Sequence, residues 1–175
     1  MRTDIRVIIA GGGTGGHLYP ALAIGEIIKS KGGRVKYMGS HFGIEADYFK
    51  KHYEDAVLLN IRGIQRSLSP GGIISNLKFP WRFCCAYLQS KKVIKDFQPD
   101  VVVGTGGYSS GLPLLAALRS GIKTLLQEQN SYPGITTRKL SARVDCICIA
   151  YEEAAEYLKK KVQFLPAIPF GEISK

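Results

Sequence analysis

Short apolar runs alternate with longer amphipathic stretches along the 175 residues of this chain. The runs IRVIIA (5–10), RVKYMG (34–39), AVLLNI (56–61), DVVVG (100–104), KTLLQE (123–128), DCICIA (145–150) and VQFLP (162–166) have strand length, and most are β-branched or apolar. Between them the pattern predicts helices near 17–31, near 43–51, within 72–97, and near 109–120, 133–141 and 151–160. Gly32-Gly33 supplies a C-terminal stop for the first helix, and Pro99-Asp100 restarts the chain after the long one. No repeat, low-complexity tract or internal linker interrupts this order. The expectation is an α/β fold over residues 1–165, a Rossmann-like doubly wound parallel sheet whose strand C-termini share one functional edge.

Composition adds little to this. At 45% apolar residues and a mean hydropathy of zero, the chain reads as one soluble domain with a core of its own. No apolar run reaches the ~18–20 residues of a membrane span, and MRTDIRVIIAGGG enters a strand without a signal-peptide pattern. Cys84 and Cys85 are adjacent, Cys146 and Cys148 alternate in a strand, and none forms a CxxC pair. They read as reduced core cysteines of a cytosolic protein.

Charge changes the picture more. The net charge is +10, and Arg62, Arg66, Lys78, Arg82, Lys91, Lys92 and Lys95 follow one another with no acid between them. Such a segment suits an anionic partner, either nucleic acid or an anionic membrane surface, or else is a solvated basic face. A recognisable nucleic-acid module with interleaved surface aromatics is missing, so nucleic acid is not expected.

The candidate chemistry starts at residues 11–20, GGGTGGHLYP, between the first strand and the first helix. Glycines there admit positive φ and let backbone N–H groups approach a ligand, and the helix N-terminus adds a positive dipole end. The loop suits a phosphate or pyrophosphate. Gly11, Gly13 and Gly16 satisfy GxGxxG, yet Gly39-Ser40-His41 stands where a dinucleotide fold places its ribose-binding acid. A P-loop would need Lys and Ser/Thr where this chain has His17 and Leu18. The loop instead delivers an imidazole to the mouth of a phosphate site, an arrangement suited to taking a proton from a hydroxyl of a phosphorylated substrate.

A second glycine loop, Gly104-Thr105-Gly106-Gly107-Tyr108-Ser109-Ser110-Gly111, follows the strand DVVVG on the same edge. The next strand ends in Gln127-Glu128-Gln129-Asn130, a polar run better suited to a site than to a core.

Together GGTGGH (11–17), GTGGYSSG (104–111) and EQNSYPG (128–134) resemble the MurG family of undecaprenyldiphospho-muramoylpentapeptide β-N-acetylglucosaminyltransferases, in glycosyltransferase family 28. The resemblance implies the N-terminal, acceptor-binding half of a GT-B fold, with an interdomain crossing starting at 166–175 and the UDP-GlcNAc-binding half missing. It implies inverting transfer of GlcNAc to the muramoyl 4-hydroxyl of a polyprenyl-diphosphate-linked acceptor, without metal or other cofactor. By the same resemblance, Gly13, Gly15, Gly16, Gly106 and Gly107 would hold the acceptor diphosphate, Thr14 would bind substrate among them, and Tyr108 would lie on the acceptor side. His17 and Glu128 would be the candidate bases, Glu128 and Asn130 would face the cleft with the asparagine toward the donor sugar, and Gln129 would join them in binding substrate. The chain departs from the family pattern at Gln127, where the family has His, at Thr137, where it has Asn, and at Ala167–Gly171, where it reads GNPVR.

A lipid-linked acceptor stays at the membrane, so such an enzyme would work peripherally at the cytoplasmic face of the cell membrane. Ile73, Ile74, Leu77 and Trp81, with Lys78 and Arg82 among them, would then form a patch for an anionic bilayer. Pro80 is expected to break this segment into a short element separate from the long helix. The rival readings are a non-catalytic module that recruits a partner to the membrane by binding polyprenyl diphosphate, and a related glycosyltransferase that uses another lipid-linked acceptor.

Overall fold

The computed structural model describes residues 4–63, 76–159 and 163–164. The chain alternates β1 (Arg6–Ala10), α1 (Gly15–Ser30), β2 (Arg34–Ser40), α2 (Glu45–His52), β3 (Val57–Leu59) and α3 (Phe79–Phe97). It continues with β4 (Val101–Gly104), α4 (Tyr108–Arg119), β5 (Lys123–Glu128), α5 (Ile135–Leu140), β6 (Cys146–Ile149), a 3₁₀ helix (Glu152–Tyr157) and β7 (Gln163–Phe164). All strand pairs are parallel, in the order β3-β2-β1-β4-β5-β6-β7. This is the expected doubly wound α/β sheet, with its order reversing between β1 and β4.

Strand alternation gives the sheet two cores. Val7, Ile9, Tyr37 and Val103 face α1 and α2 through Leu18, Ala21, Leu22 and Phe49. Ile8, Met38, Val102, Leu126 and Ile147 face the other side, with Ala86 and Ile94 of α3 and Leu112, Leu114 and Ala116 of α4. Successive strand residues therefore enter opposite cores, as a period of two requires.

Three elements differ from expectation. The first helix starts at Gly15 rather than near 17, so Gly15 and Gly16 form its first turn. The segment 151–160 yields a 3₁₀ helix over Glu152–Tyr157, since a six-residue piece returning to extended backbone at Leu158 closes more readily with i→i+3 bonds. Pro80 does not separate Trp81 from the long helix. It lies in the first turn of α3, where a missing N–H breaks no helical bond.

Cys84 and Cys85 are also not core residues. Both are exposed on α3, whereas Cys148 is buried in β6, and all four cysteines are free. Among the described residues, no helix is long and apolar enough to cross a membrane. The expected start of a domain crossing at 166–175 lies outside the described residues.

Candidate functional site

Outside the C-terminal ends of β1 and β4 lies the switch point where doubly wound sheets bind ligands. The loops after these two strands, 11–14 and 105–107, meet there, and much of their glycine content serves that meeting. A Cβ on Gly11 would overlap Thr105 Oγ1, and one on Gly107 would overlap the Gly12 carbonyl. A Cβ on Gly106 would stand 2.6 Å from His17 Nδ1. Gly106 and Gly107 also have φ of 99° and 75°, which side-chain-bearing residues rarely adopt. The loops are stitched by Thr105, whose N–H donates to the Ala10 carbonyl (3.0 Å) and whose hydroxyl donates to the His17 carbonyl (2.8 Å).

His17 sits half-buried between these loops, in the first turn of α1. Its Nδ1 lies 3.0 Å from the Thr105 carbonyl oxygen and 2.5 Å from the side-chain amide of Gln129. A carbonyl oxygen can only accept, so Nδ1 carries the proton of the neutral ring and Nε2 keeps the lone pair. Nδ1–H then requires Gln129 to turn its Oε1 toward the ring. Amide O and N are assigned from such partners, and in the opposite orientation Oε1 is buried with no partner.

Glu128 does not join His17. It is 1% exposed, and its Oε1 accepts the Asn130 N–H (3.1 Å) and the Asn130 side-chain amide (2.8 Å). Its Oε2 accepts the Gly134 N–H at 3.3 Å. The expected alternative base is thus a carboxylate that shapes the 128–134 loop, and Asn130 turns back onto it while staying exposed. The polar groups at two of the three departures from the family pattern, Gln127 Oε1 and Thr137 Oγ1, are buried without a partner among the described residues.

Of the glycines expected to hold phosphate, Gly13 is already engaged. Its N–H donates to Glu45 Oε2 at 2.7 Å, so that donor is not free for a ligand. Glu45 also takes the Ser40 N–H on Oε1 at 2.9 Å and is completely buried. The dinucleotide pattern expects an acid immediately after β2 and so passes over Glu45, which stands five residues beyond Ser40 at the start of α2. Gly15 and Gly16 fare differently. They open α1 behind Thr14, whose exposed side chain makes no capping bond. Gly107 and Tyr108 likewise open α4 with no side-chain cap. Two uncapped helix starts, each with N–H groups lacking intrahelical acceptors, therefore converge beside His17. The Tyr108 ring stands over the backbone of Gly13 and Gly63, where a Cβ would lie 3.2 and 3.4 Å from it.

The surface patch is partly described, since Ile73 and Ile74 lie outside the described residues. Leu77 and Trp81 are 75% and 76% exposed, and Lys78 beside them is exposed. Arg82 is half-buried, its guanidinium 5.5 Å from the centre of the Phe42 ring, which Arg62 also approaches at 5.7 Å. Trp81, Cys84, Cys85 and Leu88 recur at helical spacing along the exposed side of α3, and Lys91, Lys92 and Lys95 continue it. Because a crossover helix runs antiparallel to its strands, the apolar start of α3 lies on the His17 edge. An open hollow of about 780 Å³ lined by Lys91, Lys95, Gln98 and Pro99 lies at the opposite edge.

Residues 7–149 match the glycosyltransferase family 28 N-terminal domain. The chain is 42% identical over 159 residues to the UDP-N-acetylglucosamine–N-acetylmuramyl-(pentapeptide) pyrophosphoryl-undecaprenol N-acetylglucosamine transferase of Desulforamulus reducens, covering 90% of this chain and 42% of that protein. The transferase of the same name from Christiangramia forsetii is 42% identical over 158 residues, covering 89% of this chain and 42% of its own length. The crystal structure of Acinetobacter baumannii MurG superposes with a TM-score of 0.79 at 28% identity, over 95% of this chain and 47% of that one. The chain thus spans less than half the length of these relatives.

Proposed function

Because the chain belongs to the glycosyltransferase family 28 N-terminal domain family, we propose that it is the acceptor-binding half of an inverting N-acetylglucosaminyltransferase. The donor is UDP-GlcNAc, bound by a second half. The acceptor is the muramoyl 4-hydroxyl of undecaprenyl-diphospho-muramoylpentapeptide. The reading is supported by the names of the relatives and, within this chain, by one observation above the others. His17 is fixed through Nδ1 at the junction of two glycine loops, so that Nε2 is the free basic atom beside two uncapped helix N-termini.

The acceptor diphosphate lies against the N–H groups that open α1 and α4, at Gly15, Gly16, Gly107 and Tyr108, where both helix dipoles favour negative charge. His17 Nε2 takes the proton of the 4-hydroxyl as its oxygen bonds to the anomeric carbon of GlcNAc. The bond from that carbon to the UDP oxygen breaks on the opposite face, and UDP leaves. The Thr105 carbonyl and Gln129 hold the imidazolium that forms, because both present oxygen to Nδ1–H. The enzyme works as a peripheral protein at an anionic membrane surface, reached through the apolar and basic start of α3.

The test joins this chain to the donor half of a relative and measures GlcNAc transfer to a short-chain polyprenyl acceptor. Transfer is expected, and His17→Ala should lower kcat by roughly 10²–10⁴ with the fold intact. A fall of less than about fivefold would remove His17 as the base.

A further inference from the structure

We propose that Glu45 is a positioning residue of this site. Its carboxylate occupies the anion socket of the first glycine loop, sets the loop against His17, and leaves the substrate diphosphate to the first turns of α1 and α4. The last clause rests on the function proposed above; the first two do not.

The socket is built from the loop after β1, the end of β2 and the short turn that leads into α2. Gly13 N–H donates to one carboxylate oxygen at 2.7 Å and Ser40 N–H to the other at 2.9 Å. Gly12, Gly39 and Gly43 close around the side chain so tightly that a Cβ on Gly12 or Gly43 would overlap the carboxylate, and one on Gly39 would stand 2.6 Å from Glu45 Cγ. Gly12 and Gly13 have φ of 147° and 89°, the conformation that turns the Gly13 N–H inward. Backbone N–H groups in glycine turns can line anion-binding concavities, and here the anion is internal, held by one N–H of this turn and one from the end of β2. A GxGxxG loop is ordinarily read as a phosphate cradle. In this chain its central donor is satisfied before any substrate arrives.

The socket connects to the catalytic side by direct packing. Gly12, held on one side by Glu45, presents its carbonyl on the other side to Gly107 so closely that a Cβ there would overlap it. Gly106 and Gly107 in turn pack on the His17 ring, with Cβ positions 2.6 Å from Nδ1 and 3.2 Å from Cδ2. A shift of Gly12 therefore moves the loop that carries the Thr105 carbonyl, the acceptor that selects the His17 tautomer. Ser40 extends the contact to the β3 end, since its hydroxyl donates to the Ile61 carbonyl at 2.6 Å.

The experiment uses ¹⁵N-labelled chain and two NMR readouts. The His17 ring nitrogens report the tautomer without any ligand. Glu45→Gln presents one oxygen and one NH₂ to two N–H donors, so the Nδ1–H tautomer is expected to be lost or mixed in the folded variant. Unchanged ring nitrogens would overturn the positioning role, because a merely structural residue alters stability without altering the tautomer. Glu45→Asp, which keeps both oxygens but withdraws them, serves if Glu45→Gln does not fold. The backbone amides report the socket. On adding inorganic pyrophosphate, Gly15, Gly16 and Tyr108 are expected to shift while Gly13 and Ser40 stay still. Shifts at Gly13 and Ser40 equal to those at Gly15 would show that the ligand displaces Glu45 and would overturn the internal-anion assignment. If no amide moves, the diphosphate site fails, and the ring nitrogens still decide the role of Glu45.

Discussion

Gln129 and Glu128 are neighbours in sequence with opposite duties, and strand parity explains why. In β5, Thr124, Leu126 and Glu128 are buried on one face, while Leu125 and Gln127 point to the other, toward α1. One residue further, Gln129 falls on the α1 side and reaches His17, whereas Glu128 turns back onto its own loop. The two-residue period that predicts the strand thus also separates these roles, but only once it is known which core α1 covers. The Glu45 socket was less legible still. Gly39 and Gly43 lie close to Glu45 in sequence, but Gly12 comes from the loop after β1, and nothing in local pattern says that they close on one carboxylate. Cysteine chemistry gives a check at this scale. Burial first, and then Cys146 beside it, push the Cys148 thiol up to about 11. Near pH 8, Cys84 and Cys85 should react rapidly with a thiol reagent, and Cys148 only on unfolding. Fast modification of Cys148 in the folded chain would contradict the buried placement of β6.

At the scale of elements, alternation of apolar runs and helices was readable because each strand is a short buried run bounded by glycine, proline or charge. The reading of Pro80 failed because proline breaks a helix interior but suits a first turn, and the sequence alone does not fix where α3 starts. The starts of β5 and β6 are joined by Asp145, whose carboxylate accepts the Thr124 hydroxyl (2.8 Å) and N–H (2.9 Å). Those bonds hold its pKa below the ordinary value. A folded-state pKa below the unfolded one adds stability above about pH 4 that is lost as pH falls through the folded value. Asp145→Asn should therefore lower the thermal midpoint at pH 7, with the difference from wild type shrinking as the pH drops below about 4. A pH-independent difference would mean that Asn removes packing rather than a charge-assisted bond. The exposed side of α3 makes a second test possible. Trp81→Glu should weaken co-sedimentation with anionic vesicles and leave the circular dichroism unchanged, and wild-type binding should fall with salt. Equal binding by the variant would remove this face from membrane contact.

For the molecule as a whole, the two cores give the sheet both of its covered faces, and residues 7–149 span nearly all of that unit. The chain is therefore expected to unfold in one cooperative transition and, without a donor half, to transfer no GlcNAc. Turnover of UDP-GlcNAc by this chain alone would overturn the division of labour proposed here. The exposure of Trp81 has a spectroscopic consequence. It is the chain's single tryptophan, and it is 76% exposed, so its indole already emits as a hydrated fluorophore in the native state. Tryptophan fluorescence will then hardly register unfolding, which must be followed by circular dichroism instead. The same property makes the signal a label-free reporter of this face: a blue shift on adding vesicles or a partner can come only from α3 losing water around Trp81.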